Sequence, residues 1–208
     1  SLAKRLSDLQ DHKQSMDVAT ALQIGWQVAD ALSVAHSAGI VHRDLKPENL
    51  MLIDDPIAPS GERVKILDFG IAKLTRSNTV NNAQTAVDAL MGTPVYMSPE
   101  QCEGAGGVDD KSDVYSLGVM LFEMLAGRPP FTEQGMGLLI MAHMTQSPPP
   151  LQSLAPKVPK DVAEFVHRLL TKAKADRPSM QQVQAQLSDL LVNVSGSVPA
   201  LRRRVSGA

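Results

Sequence analysis

The chain has 208 residues, 43% of them hydrophobic, with 20 Lys and Arg against 22 Asp and Glu for a formal net charge of −2. That apolar share fills one core, and the length sits near the roughly 100–200 residues of a single domain. The balanced charge excludes the basic stripe of a dedicated nucleic-acid binder. The single cysteine, Cys102, excludes a disulfide framework, and no apolar run approaches the ~18 residues of a membrane span. The opening Ser1-Leu2-Ala3-Lys4-Arg5 carries neither an initiator Met nor the apolar region of a signal peptide. A cytosol-compatible globular piece of something larger is expected.

One short and one long helix are expected before His42. The long one covers 16–38, where Val18, Leu22, Val28, Leu32 and Ala35 recur at helical spacing. Ser15 and Asp17 sit where an N-cap and a negative charge are favoured, and Gly39 follows the last turn. Two β-like runs, Leu50–Ile53 and Val64–Leu67, flank a loop with Pro56, Pro59 and Gly61, which predicts a long-tipped hairpin. Residues 75–91 are polar and aperiodic and read as a loop. From Asp113 to Ala126 the sequence is apolar on nearly every face, the mark of a helix at the centre of a domain, and Gly127, Pro129 and Pro130 end it. Helices follow at about 136–145, 160–172 and 180–191, with Pro148-Pro149-Pro150 as an extended spacer. The last helix opens on a Ser179…Gln182 capping box. The fold class is mainly α with one small β-hairpin.

Four blocks carry chemistry, in this order: His42-Arg43-Asp44-Leu45-Lys46-Pro47-Glu48-Asn49, Asp68-Phe69-Gly70, Gly92-Thr93-Pro94-Val95-Tyr96-Met97-Ser98-Pro99-Glu100, and Asp113-Val114-Tyr115-Ser116-Leu117-Gly118. Each alone is weak: Asp68 reads as a turn residue, His42 as a core histidine and Asp113 as an ordinary N-cap. Together they resemble the large, C-terminal lobe of bacterial eukaryotic-type (Hanks-type) serine/threonine protein kinases. The resemblance runs over residues 1–194, with an activation segment at 68–100, and leaves 195–208 as a flexible basic tail or linker.

The resemblance implies a transfer of the ATP γ-phosphoryl group to Ser and Thr hydroxyls of proteins, with Mg²⁺ or Mn²⁺. Asp44 is then the residue that accepts or orients the hydroxyl proton, Lys46 steadies the transferring group, and Asn49 and Asp68 offer hard oxygen ligands to the metal. Met51 lies under the adenine ring. Arg43 holds a phosphate on the activation segment, with Thr85, Thr79 or Thr75 as its site. Thr93 contacts Asp44 and Lys46, and Glu48 attracts basic substrate side chains. His42, Phe69, Glu100, Asp113 and Arg177 are structural, with Glu100 and Arg177 forming a buried ion pair.

No Gly-x-Gly-x-x-Gly occurs in the chain, so an N-terminal lobe with its glycine-rich loop, strand lysine and helix glutamate is absent from it. The chain alone is therefore expected to be inactive, with its own N-terminal lobe as a required partner. Expected partners are protein substrates and a second copy for autophosphorylation, with no nucleic acid. The run Arg202-Arg203-Arg204 fits a linker, a phosphorylation site or a juxtamembrane stretch. The expected location is cytoplasmic, or the cytoplasmic part of a single-pass receptor kinase. Two alternatives are a pseudokinase or regulatory scaffold, and a small-molecule phosphotransferase of the aminoglycoside-kinase type, which normally lacks the Gly-Thr-Pro and Ser-Pro-Glu blocks.

Overall fold

The computed structural model of the chain describes residues 1–58, 61–68 and 94–195. Phe69, Thr75, Thr79, Thr85, Thr93, the polar stretch 75–91 and the basic run after Ser195 lie outside the described residues. Two helices, α1 (Leu2–Asp11) and α2 (Val18–Ser37), lead to a 3-10 turn at Pro47–Asn49 and to strands β1 (Leu50–Asp54) and β2 (Glu62–Ile66). A 3-10 turn at Pro94–Tyr96 precedes α3 (Pro99–Glu103) and α4 (Asp110–Ala126). Then come α5 (Met136–Thr145), α6 (Leu151–Leu154), α7 (Lys160–Leu169), a 3-10 turn at Lys174–Asp176 and α8 (Met180–Ser195).

Local chemistry explains the boundaries. Asp17 rather than Ser15 caps α2, its carboxylate accepting from the Thr20 amide at 3.1 Å. At the other end Gly39 takes φ +74°, and the amides of Gly39 and Ile40 donate back to the His36 and Ala35 carbonyls at 2.9 Å. That pattern closes the helix with a Schellman motif, which needs a residue free to adopt left-handed backbone. The central helix begins earlier than its apolar run, because Asp109 accepts from the Lys111 amide at 3.0 Å and caps it. Asp113 is thus inside the first turn and is not the N-cap. The capping box at Ser179 and Gln182 forms as read, with its reciprocal bonds at 2.8 and 3.2 Å. Helix α7 stops at Leu169, short of the expected 172, because the carbonyls of Thr171 and Lys172 turn to accept from Arg177. The short helix α6, directly after the prolines, has no periodic signal in sequence.

Helix α4 is the spine. Val114, Tyr115, Leu117, Val119, Met120, Leu121 and Phe122 are all wholly buried, as its all-round apolar composition predicts. Each such side chain contributes about 1.5–3 kcal/mol relative to exposure. Gly118 lets α7 lie directly against it, since a Cβ there would come within 2.7 Å of Leu169 Cβ. Helices α2 and α8 complete the core, with Leu22, Leu32, Val183 and Leu187 buried in it.

The sheet has two antiparallel strands in the register Leu50↔Ile66 through Asp54↔Glu62. A two-stranded hairpin is marginal on its own. Here Gln27 of α2 acts as a substitute neighbour for β2: its Oε1 accepts from the Val64 amide at 2.9 Å and its Nε2 donates to the Glu62 carbonyl at 3.2 Å. Arg5 of α1 adds a bond of 2.7 Å to the Glu62 carboxylate. Among the described residues no helix is long and apolar enough to cross a membrane.

Candidate active site

The loop His42–Asn49 is built around one buried carboxylate. Asp113 is 1% exposed. Its Oδ2 accepts from the His42 amide and from His36 Nε2, both at 2.8 Å, and its Oδ1 accepts from the Arg43 amide at 2.9 Å. Arg43 takes φ +65°, left-handed backbone that a residue with a Cβ adopts at a cost of about 1–2 kcal/mol. The cost is offset because both of its peptide groups are held: the Arg43 carbonyl accepts from Gln101 Nε2 at 2.7 Å. Gln101 also serves Ser98 in the capping box of α3, so one side chain ties α3 to the loop.

His42, fully buried, links this loop to the end of β2. Its Nδ1 accepts from the Asp44 amide at 3.3 Å, which leaves the proton on Nε2 to be donated to the Leu67 carbonyl at 2.9 Å. The Leu67 amide in turn donates to the Asn49 carbonyl at 2.8 Å. With Leu67 gripped on both sides, Asp68 is delivered next to the loop, exposed and with φ +47°.

Three of the sequence-predicted residues meet directly. Lys46 Nζ lies 3.0 Å from Asp44 Oδ2, both side chains about a third exposed. Asn49 Nδ2 donates to the Asp44 carbonyl at 2.7 Å and approaches its carboxylate at 3.4 Å. This orientation of the amide turns Asn49 Oδ1 away from Asp44 and leaves an oxygen to offer a cation. Together with the exposed Asp68 carboxylate, that donor set suits Mg²⁺, which takes oxygen ligands and commonly only one or two carboxylates from the protein. Among the described residues no cluster of three or more His, Cys, Asp or Glu side chains forms a metal cage. Met51 is on β1, 37% exposed, opposite Lys65.

The strip Pro94–Tyr96 rests on α4. Ser116 Oγ donates to the Tyr96 carbonyl at 2.7 Å, and the Tyr96 hydroxyl donates to Glu123 Oε2 at 2.6 Å. Burial, reinforced by the Glu123 charge, drives the Tyr96 hydroxyl far above its ordinary range. Burial also lifts the Glu123 carboxyl, partly countered by the bond from Tyr96, and the nearby Glu48 charge pushes it up further. Glu48 itself is exposed. Below, Arg177 makes a two-pronged pair with Glu100 at 2.8 and 2.9 Å. Its other donors reach the carbonyls of Thr171, Lys111 and Lys172, and its guanidinium stacks 4.9 Å from the Tyr115 ring. Burial would raise the Glu100 carboxyl, but the bonds from Arg177 and from Ser112 hold it below its usual value.

Gln101, Glu123 and His36 are site-supporting residues that the sequence reading passed over, and Tyr96 is named there only as part of its block. Two left a signal: Ser98 and Gln101 have capping-box spacing, and Glu123 is the one acid in the apolar run 114–126. His36 left none.

The family model described as Protein kinase domain matches residues 1–187. Among curated proteins the chain is similar to two serine/threonine-protein kinases of Myxococcus xanthus, being 45% identical to Pkn1 over 152 residues and 40% identical to pkn3 over 185. It is also 35% identical over 191 residues to the serine/threonine-protein kinase PkaB of Streptomyces coelicolor. These alignments take in 73%, 88% and 91% of this chain but 21%, 32% and 44% of the relatives, so the chain spans less than half the length of each. Because the matched stretch runs from α1 to within α8 and includes every element that holds the His42–Asn49 loop, the chain belongs to the protein kinase domain family.

Proposed function

We propose that this chain is the catalytic and substrate-binding lobe of a protein kinase that transfers the ATP γ-phosphoryl group to Ser and Thr hydroxyls of proteins. The observation that carries the reading is the Asp44 carboxylate, part-exposed, paired with Lys46 and steadied by Asn49 on a loop whose backbone is pinned by Asp113. Phosphoryl transfer asks the protein chiefly for positioning and charge neutralisation. Asp44 orients the acceptor hydroxyl and takes its proton. Lys46 divides its charge between Asp44 and the transferring group, which keeps nucleophile and phosphoryl in line. Asn49 and Asp68 would hold Mg²⁺, which when bound neutralises phosphate charge. The Ser/Thr preference draws support from Lys46 at that place in the loop and from the names of the relatives. Arg43 is our candidate to bind an activating phosphate, and a second copy of the protein is our candidate substrate for autophosphorylation.

The test is incorporation of labelled phosphate from ATP by the whole protein, compared with Asp44→Ala. Loss of a proton-accepting side chain is expected to reduce the rate by about 10²–10⁴-fold. A wild-type protein that binds ATP yet labels neither itself nor any Ser/Thr peptide would overturn the reading in favour of a scaffold. Residues 1–208 alone, which hold no glycine-rich phosphate loop, are expected to transfer phosphate negligibly.

A further inference from the structure

The left-handed turn at Arg43 is held from two directions. On its N-terminal side Asp113 Oδ1 accepts from the Arg43 amide at 2.9 Å. On its C-terminal side the Arg43 carbonyl accepts from Gln101 Nε2 at 2.7 Å, across 58 residues of sequence. That second peptide group leads into Asp44, and its amide donates to His42 Nδ1 at 3.3 Å. The peptide plane ahead of Asp44 is thus gripped at both edges, its oxygen by Gln101 and its N–H by His42. A non-glycine residue at φ +65° persists where its surroundings hold it there.

Gln101 does two separable things. Its Oε1 accepts from the Ser98 amide at 3.0 Å and from the Ser98 hydroxyl at 3.2 Å, and the Gln101 amide donates to Ser98 Oγ at 3.4 Å. These bonds close the capping box of α3. Its Nε2 has no part in the box and bonds the Arg43 carbonyl. The partners fix which end of the side-chain amide is which, because a backbone N–H donates and a carbonyl accepts. A capping box is served by Glu or by Gln at this position. The Arg43 carbonyl is not, since a carboxylate has no hydrogen to give it. The amide of Gln101 therefore supplies something that the start of the helix does not require.

We infer that Gln101 is a positioning residue for phosphoryl transfer: by holding the Arg43 carbonyl it sets the peptide plane from which the Asp44 carboxylate is aimed. The inference rests on the kinase reading above. Lys46 Nζ lies 3.0 Å from the Asp44 carboxylate and Asn49 Nδ2 2.7 Å from its carbonyl, so a turn of the preceding plane shifts Asp44 against both. Asp113 keeps the His42 and Arg43 amides with or without Gln101, so the loss falls on the alignment of Asp44 rather than on the folding of the loop. Alignment of a reacting group enters kcat, whereas ATP and peptide are bound by other contacts.

The experiment compares wild type, Gln101→Glu and Ser98→Ala as whole proteins, in peptide phosphorylation, thermal unfolding and amide hydrogen exchange. Gln101→Glu keeps the acceptor for Ser98 and loses the donor to Arg43. Its kcat is expected to fall about five- to fiftyfold, with the KM of ATP and of peptide near wild type and a Tm no lower than that of Ser98→Ala. Its Asp44 amide is expected to exchange faster, while the Cys102 amide, bonded to the Ser98 carbonyl at 3.1 Å, keeps its protection. Ser98→Ala removes the side-chain cap and leaves the bond to Arg43, so a lower Tm with kcat near wild type is expected. An unchanged kcat in folded Gln101→Glu overturns the inference. So does a Ser98→Ala protein that loses as much kcat, because the effect then runs through the start of α3. If Gln101→Glu fails to fold, Gln101→Leu, which removes the donor without adding charge, must show the same fall in kcat or the inference is overturned. A wild type that binds ATP and phosphorylates nothing overturns the kinase reading and this one with it.

Discussion

Replacing Asp113 by Asn keeps the shape of the side chain and removes half of what it does. The carboxylate offers two oxygens to three donors, at 2.8, 2.8 and 2.9 Å, in a place 1% exposed. An amide has one oxygen. Its best orientation keeps that oxygen toward the His42 amide and His36, and sets its NH₂ against the Arg43 amide. Two buried donors are then unpaired, at about 1–3 kcal/mol each, and the remaining bonds lose their charge-assisted strength. Relaxation of Arg43 from φ +65° returns about 1–2 kcal/mol. The net loss is about 2–4 kcal/mol. With a urea dependence of about 2 kcal/mol per M, the unfolding midpoint is expected to fall by about 1–2 M. Hydrogen exchange localises the damage: the amides of His42 and Arg43 should lose protection, while those of Ala29 and Leu32 within α2 should lose only what the global change dictates. A midpoint unchanged within about 0.3 M, with both loop amides still protected, would refute the argument that this carboxylate holds the loop.

Arg177→Met leaves the Glu100 carboxylate buried without its partner and strips three carbonyls of a donor, so a loss of about 3–5 kcal/mol is expected. Calorimetry should show this as a fall in Tm of about 6–20 °C, and a fall below about 3 °C would contradict it. Stability should also decline on acidification through His143. The unfolded histidine takes a proton below its ordinary 6.5 and the folded one only near about 4, so between those values the unfolded state gains, by roughly 3 kcal/mol over the whole span. His143→Phe should flatten that part of the pH profile. The further loss that follows Glu100, whose folded carboxyl is held below its ordinary 4.5, should persist in the variant, and the raised Glu123 acts in the opposite sense in both proteins.

Much of the fold was legible because its signals are local. The apolar period of α2, the all-round apolar composition of α4, the Ser179–Gln182 box and the glycine after α2 each act within three or four residues, and a sequence displays such spacings directly. The candidate site was legible for a different reason. Asp44, Lys46 and Asn49 are five residues apart on one loop, so their meeting follows from the chain itself once the loop is recognised. Where the sequence reading slipped, at the start of α4 and the end of α7, a polar cap or a distant arginine outweighed the apolar pattern.

What only the tertiary structure decided is how those local pieces hold one another. His36 reaches Asp113 across 77 residues, Gln101 reaches the Arg43 carbonyl across 58, and Gln27 completes the edge of β2 from 35 residues away. None of these pairs has a period or a motif. Gln101 and Gln27 each satisfy a backbone group and His36 satisfies the buried Asp113 carboxylate, and which group is met depends on how α2, α3 and α4 stack. By itself the sequence determined most of the helices, the hairpin and the one loop on which Asp44, Lys46 and Asn49 meet. The stacking determined which distant side chains hold that loop.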